Sequence, residues 1–449
     1  NSGGFIVNFS GTPGTVSQSS VMQVNQVNFL VNGYTWTASG ARSIAFTNGI
    51  YLTNGVNTII TASAGNSFTF TGTGVSGGTG SSLTLGLGAT SGNSNYVSAI
   101  YFSGGTISVP ITMNVGGASN GFAAKFSLGS QSSSGLTING DITNNSAGPL
   151  DLTNSASGNL VINGVISGSR GITLGNSSSG KIVLTAANTY GGGTVLLSTS
   201  SGEITYSNST SFGSGAITSS GNGTTNYIRA LANNLDLANA IAIDANNTLR
   251  VGATNTGYKA NYSGDISGAG SVLYSYSGFL GLSGTNSSFG GGFVLGSSGR
   301  ADLSKIGMAG QNSSIGTNGV IAAGTITTPS SKPTIRWVGT TNDTSDKVIN
   351  IGNASGGLQL ETIGNGDLTL NGNINSSGVG GPKTIYLYPY TNSSMVVNGV
   401  TNNVTNTLSL NGVINDGTPG YVVNDTTISN AVSTITLASV AGVTNGASI

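Results

Sequence analysis

A short unit of the form apolar, any, apolar, Asn, Gly, any, apolar recurs along the chain and restricts its fold more than any other feature. It reads LTINGDI at Leu136 to Ile142, LVINGVI at Leu160 to Ile166, LTLNGNI at Leu368 to Ile374, MVVNGVT at Met395 to Thr401 and LSLNGVI at Leu408 to Ile414. A looser relative, FLVNGYT, lies at Phe29 to Thr35. Alternating apolar residues make a half-buried strand, because successive side chains point to opposite faces. Asn-Gly then supplies the positive φ that a tight corner needs. Alone, Asn-Gly between strands would suggest a two-residue hairpin. The stretch after it is often too short for a hairpin partner, so a corner between successive strands of a coil fits better. Asn139 and Asn163 are 24 positions apart and Asn371 and Asn398 are 27 apart. Repeats of roughly 20 to 30 residues built from strands and turns predict a β-solenoid, in which each rung hides its apolar face against its neighbours. The 13 positions from Asn398 to Asn411 imply that the unit marks more than one corner, or that rungs are irregular.

Composition agrees with an all-β chain having little or no helix. The 449 residues include 74 glycines, no cysteine and no histidine, with thirteen basic and thirteen acidic side chains. Thiolate nucleophiles, disulfides, the usual zinc sites and His-based triads are therefore excluded. Charged residues are 6% of the chain, against roughly 25% in an ordinary soluble domain. Disorder is the first thought for such a Gly, Ser, Thr and Asn-rich sequence, but it normally accompanies low hydrophobicity and high net charge. Here net charge is zero and 37% of residues are apolar. The segment RALANNLDLANAIAIDANN (Arg229 to Asn247) has helix-forming composition, yet Leu235 and Leu237, then Ile241 and Ile243, alternate between Asn-Asn breaks and read as two strands. Residues 1–130 are read as an N-terminal β region, either a docking or capping module or the start of the solenoid, and 131–449 as solenoid repeats.

A longer repeat overlies the short one. LTAANTYGGGTVL (Leu184 to Leu196) aligns with LSGTNSSFGGGFVL (Leu282 to Leu295), placing Asn188 on Asn286, Tyr190 on Phe289 and Gly192 and Gly193 on Gly291 and Gly292, with one extra serine. Upstream, GVISG (Gly164 to Gly168) matches GDISG (Gly264 to Gly268). The block resembles the autotransporter-associated β-strand repeat, approximately L-S-G-x-N-T-Y-x-G-G-T-x-I. The first copy matches at Leu184, Asn188, Thr189, Tyr190, Gly192, Gly193 and Thr194, and the second departs at Ser287, Ser288, Phe289 and Phe293. The resemblance covers two short blocks. It implies a right-handed parallel β-helix exported to a bacterial surface or beyond, and no common ligand. A membrane barrel of alternating strands with aromatic girdles would be expected to follow in an autotransporter; the final TLASVAGVTNGASI has no such series. The start at Asn1 reads as a processed chain whose export signal is gone, or as a trimmed one.

Few side chains offer chemistry. Gly72 to Gly77 match G-x-G-x-x-G, but a dinucleotide site needs the last glycine to open a helix, and turn and strand residues come next instead. Asp343 and Asp346, beside Lys347, form the densest acidic group. They are weak candidates for calcium, which is open chemically but not otherwise indicated, and a solvated loop is the plainer reading. Asp141, Asp151 and Asp265 read as turn caps. Sequons at Asn8, Asn176, Asn286 and Asn392 are expected by chance in this composition. Ser67, Thr69, Thr71 and Thr73 alternate as hydroxyls that stack laterally or present a flat array. Tyr190 and Phe289 could stack on a sugar, and packing over the glycines of a rung is the plainer reading. No basic patch invites nucleic acid, and no apolar run approaches the ~18 residues of a membrane-spanning helix.

A solenoid has two open ends, usually guarded by charge, Pro or a cap. Here Phe5, Val7 and Phe9 at one end and Ile435 and Leu437 at the other continue apolar alternation without a protective charge. The expectation is a secreted, extracellular or cell-surface structural subunit that is not an enzyme and needs no cofactor. Its partner would be itself, through strand addition and uncharged lateral faces. The alternatives are a monomeric passenger-type adhesin binding glycans or matrix and, further off, a polysaccharide-degrading β-helix enzyme.

Overall fold

The computed structural model describes residues 4–415, apart from 39, 63–65, 73, 88–96, 115–124, 131–132, 147, 198–201, 222, 277, 297–298, 325–331, 353–356, 377–384, 390–391, 398–399, 405–407 and 413. The chain is an all-β parallel solenoid with no helix among the described residues. It comprises two compact units, 1–227 and 228–449.

In the first unit, three parallel ladders run from rung to rung. One begins at Ile6–Phe9 and continues through Met22–Phe29 to Arg42–Leu52. That 11-residue strand then serves two ladders, since its first half pairs with Ser67–Thr71 and its second with Gly74–Gly77. The third ladder starts at Thr15–Gln18, pairs through Thr35–Ala38 and Asn57–Ala62, and ends at Ile166–Ser167. Pairing runs across residue 130 in the same register, with Phe126 opposite Leu150 and Ser130 opposite Asn154.

The predicted 24-residue period is a true rung step, because Leu136, Thr137 and Ile138 lie opposite Leu160, Val161 and Ile162. Stacking makes columns of like residues: Leu136, Leu160, Ile182 and Ile204 in one, Ile138, Ile162, Leu184 and Tyr206 in the next. All eight are buried, and each such aliphatic side chain contributes about 1.5–3 kcal/mol by leaving water. Outward residues of these strands are half-buried rather than exposed, since rungs ~4.8 Å apart shield them from above and below.

The Asn-Gly corners form, but in four of the described copies not through positive φ. Gly33 has φ 91°, whereas Gly140, Gly164, Gly372 and Gly412 all lie outside the left-handed region. Glycine is needed there for close approach: a Cβ on Gly140 would sit 1.9 Å from the Val109 carbonyl oxygen, and one on Gly164 2.1 Å from that of Gly140. Gly372 and Gly412 repeat this against the carbonyls of Lys347 and Gly372, both at 2.0 Å. The asparagines stack as a ladder, Asn163 Nδ2 donating to Asn139 Oδ1 at 2.8 Å and Asn411 Nδ2 to Asn371 Oδ1 at 2.9 Å. Among the described non-glycine residues positive φ is taken by Asn234 and Asn246, at the breaks around Leu235–Leu237 and Ile241–Ile243, which are strands as expected.

One copy of the unit behaves differently. Asn392–Val397 and Val400–Val404 pair antiparallel, with Val397 opposite Val400, so MVVNGVT brackets a hairpin and not a rung corner. The rung step in that region runs from Leu368 to Leu408, 40 residues, and the 27- and 13-residue spacings are its two parts. Residues after the corner decide the outcome: VTNNV can form a full partner strand, while the other copies meet a new turn first.

The second unit has its own parallel ladders, notably Leu235–Leu237, Lys259–Tyr262, Phe279–Leu282, Arg300–Leu303, Thr334–Trp337, Leu358–Thr362 and Ile385–Pro389 in order.

Candidate functional site

The two copies of the longer repeat end ladders. Ile166–Ser167 is the last strand of its ladder, and the next rung meets it with Asn188, which is buried. Asn188 Oδ1 accepts the Ile166 N–H at 2.8 Å while its Nδ2 donates to the Ser211 carbonyl at 2.6 Å. A side-chain amide thus replaces a strand's backbone where pairing stops, satisfying donors that would otherwise be buried unpaired. In the second copy the Ile266 N–H donates to Ser287 Oγ at 2.9 Å. Ser287 is buried and Asn286 exposed, with Asn286 Oδ1 accepting Asn312 Nδ2 at 2.9 Å. The alignment of Asn188 with Asn286 is therefore corrected: Ser287 is the counterpart, and the extra residue lies in the 283–286 turn. Backbone bonds agree, Thr189 N–H to Ile166 O at 2.9 Å matching Ser288 N–H to Ile266 O at 2.8 Å.

Leu184, Tyr190, Leu282 and Phe289 are buried. Each ring is covered by a glycine of the following rung, Gly213 over Tyr190 and Gly316 over Phe289, where a Cβ would come within 2.8 and 2.9 Å of ring atoms. Tyr190 Oη lies 2.6 Å from Thr194 Oγ1, and burial holds its pKa well above the ordinary tyrosine value. Gly192 and Gly291 pass against the previous rung, a Cβ on them meeting Gly171 N at 2.1 Å and Gly270 C at 2.4 Å, while Gly193 and Gly292 take positive φ. The covering glycines belong to a further match, Ser211-Phe212-Gly213 and Ser314-Ile315-Gly316, that a comparison of the copies extended downstream would have found.

A second unread signal is Asn with Gly four residues later. Buried Asn144, Asn154 and Asn176 donate Nδ2 to the carbonyls of Gly148, Gly158 and Gly180, and accept the N–H two residues on. Asn176, one of the sequons, is thus fully buried.

Charge gathers in the second unit. Asp302, 2% exposed, takes Lys259 Nζ at 2.9 Å, Arg300 Nε at 3.0 Å and Arg336 Nη2 at 2.7 Å. Burial is the largest influence and would raise its pKa, but the hydrogen bonds and charges of Arg336 and Lys259 together outweigh it and hold the carboxyl below its ordinary value. Gly281, between the Lys259 and Asp302 rungs, leaves room for the lysine: a Cβ there would meet Lys259 Cε at 2.9 Å.

Asp343 and Asp346 act on backbone. Asp343 Oδ2 accepts the N–H groups of Ile306 and Gly307 at 2.6 and 3.3 Å, and Asp346 Oδ1 that of Ala309 at 2.6 Å. Buried Lys347 donates to the carbonyls of Gly316 and Asn318 at 3.1 and 2.7 Å. Burial lowers its pKa, against the opposing pull of Asp346 and Asp343. The three charges clamp loop 304–319, beside which lies a polar cleft of about 340 Å³ whose lining includes Lys305, Asp343 and Thr340.

Among other residues singled out, Asp141 and Asp265 cap amides of the next rung, Val165 N–H at 2.8 Å and Asn286 N–H at 3.1 Å. Gly72 and Gly74 lie against Phe46 and Thr106 carbonyl oxygens, and Gly74–Gly77 is a strand, not the opening of a helix. Ser67 and Thr69 are half-buried, with Thr69 flanked by Ser43 and Tyr101 on adjacent rungs. Phe5 is 80% exposed, and Val7 and Phe9 are half-buried on the first strand, where Phe9 stacks on Phe29 at 4.6 Å. Thr73, Ile435 and Leu437 lie outside the described residues. No helix among the described residues is long and apolar enough to cross a membrane. No protein-family model, curated protein or solved structure matches the chain.

Proposed function

We propose that the chain is a structural subunit of an extracellular or cell-surface bacterial assembly, related in style to the autotransporter-associated repeat scaffolds and joined by strand addition. The supporting observation is Ile6–Phe9, which pairs on one side only among the described residues, with Ile6 at 54% exposure and Phe5 just before it at 80%. A further strand there would continue the register of Ile6 to Phe9 on Gln26 to Phe29 and cover the second face of Phe9. Backbone bonds would supply affinity and alternate side chains the specificity. The first 140 residues carry only Arg42 and Lys125 as charged side chains, so little repulsion opposes lateral contact.

Sedimentation and electron microscopy of the purified chain at neutral pH provide the test. Concentration-dependent fibres or rods, abolished by Val7→Lys with Phe9→Asp, are expected. A strictly monomeric particle at every concentration overturns the proposal. A second reading, a surface protein binding glycans, is supported by the polar cleft beside loop 304–319.

A further inference from the structure

We infer that the cleft beside the clamped loop binds a short acidic saccharide, one or two sugar rings bearing a carboxylate. This deepens the glycan-binding reading and is independent of self-association. Four observations converge. The loop is an elaboration of the second copy only: residues 304–319 stand where the first copy uses the shorter 207–216. It is held rigidly, since Asp343, Asp346 and Lys347 spend three of the chain's 26 charged side chains on its backbone. A preformed wall of this kind saves the ordering cost that a mobile loop would impose on a ligand.

The lining is made for hydroxyls. Thr285, Ser304, Thr340 and Thr341 each donate and accept, Asn342 adds its Nδ2 donor while its Oδ1 takes the Asp367 N–H at 2.9 Å, and Val338 is the one large apolar side chain. An apolar ligand would leave these groups unpaired, whereas a polyol satisfies donors and acceptors together. At about 340 Å³ the cleft is at the small end of ligand sites.

The charges set the ligand's sign. Lys305 lines the cleft, and no described carboxylate lies within ion-pair distance of it. Asp343, the opposite charge in the lining, already directs Oδ2 to Ile306 and Gly307. Lys305 is thus placed to take a sugar carboxylate by a charge-assisted bond, and Asp343 Oδ1 to accept a sugar hydroxyl.

The test is calorimetric titration of the full chain with digalacturonate, using the neutral galactose disaccharide as comparator. Saturable diuronate binding is expected, with the neutral sugar about tenfold weaker, the size of one charged hydrogen bond. Lys305→Met should lower diuronate affinity about tenfold and erase the preference, and added salt should do likewise. Thr340→Val with Thr341→Val should weaken both sugars. An unchanged unfolding transition checks that each variant is folded. Absence of saturable diuronate binding to the unaltered chain, or equal binding by Lys305→Met, overturns the inference. A glycan array separates the levels: binding of other glycans alone sinks this inference and leaves the glycan reading, and a blank array sinks both.

Discussion

Rungs 136–206 in the first unit and rungs 259–361 in the second bury polar groups by opposite means. In the first, Asn144, Asn154 and Asn176 each close the turn of their own rung, bonding the carbonyl four residues on. No described charged residue there is as buried as Asp302, and each Asn closes its own turn, Asn154 and Asn176 also reaching the Lys181 and Glu203 carbonyls of the next rung at 3.2 and 3.3 Å. In the second, Tyr274 takes the corresponding role, its hydroxyl bonding the Gly278 carbonyl four residues on, while Asp302 draws cations from three rungs. A neutral cap can repeat because all it asks of its neighbour is a backbone carbonyl, which every rung supplies. A buried carboxylate cannot repeat, since stacking it on itself would place like charges ~4.8 Å apart. The first device is suited to extension and the second to fastening one particular stack.

That contrast breaks most sharply at Asp302. Asp302→Ala leaves Lys259, Arg300 and Arg336 without their shared anion, and should cost about 3–4 kcal/mol, the lower part of the range for a broken buried pair because the cations keep some solvent. Denaturant unfolding combined with hydrogen exchange in each unit measures it, with loss of protection confined to the second unit. Acid should act likewise. The folded pKa of Asp302 is lowered, so its contribution is complete above the ordinary carboxylate pKa and is lost as pH falls through the lower folded value. The second unit should lose protection in that acidic window, and Asp302→Ala should remove most of the pH dependence.

Next in size is Gly164→Ala in the neutral rungs, expected to cost about 2–3 kcal/mol by forcing apart two backbones, since its Cβ would lie 2.1 Å from the Gly140 oxygen. Gly191→Ala, whose Cβ would have nothing nearer than 4.0 Å, should change stability by less than ~0.5 kcal/mol. Asn176→Ala comes next at about 2 kcal/mol, from leaving the Gly180 carbonyl and Ser178 N–H unpaired in a buried turn. Thermal melts rank all three, and equal costs for Gly164→Ala and Gly191→Ala would refute close approach as the reason for Asn-Gly.

Much of the fold is readable in the sequence, and the failures have physical causes. Period-2 alternation at Leu136, Leu160 and Leu368 marks strands, and the spacing of Asn139 and Asn163 marks the rung. The same letters at Met395 make a hairpin, because the fate of Asn-Gly depends on whether the next residues can form a partner strand. Positive φ is a sound local inference for Asn-Gly, but a parallel stack imposes a second demand, backbone passing backbone, that one rung does not reveal. Asp343 and Asp346 read as a loose loop because their partners, Ile306 and Ala309, lie 37 positions away. Glycines and aromatics mark the copies of the longer repeat, yet letter identity pairs Asn286 with Asn188 when the position needs only an oxygen acceptor.

That last point yields the smallest predicted loss among the polar substitutions. Ile166 N–H requires an acceptor at position 188, and Ser287 Oγ meets the same requirement at Ile266 over 2.9 Å. Asn188→Ser should therefore keep the ladder end, losing only the bond from Nδ2 to Ser211, and cost about 1 kcal/mol. Asn188→Ala should cost about twice that, since both the Ile166 N–H and the Ser211 carbonyl lose their partner. Hydrogen exchange at Ile166 distinguishes the two: protection retained in the serine variant and lost in the alanine one. If serine exposes Ile166 as alanine does, the two ladder ends are not equivalent, and the hundred-residue repeat is a likeness of letters without a shared structural task.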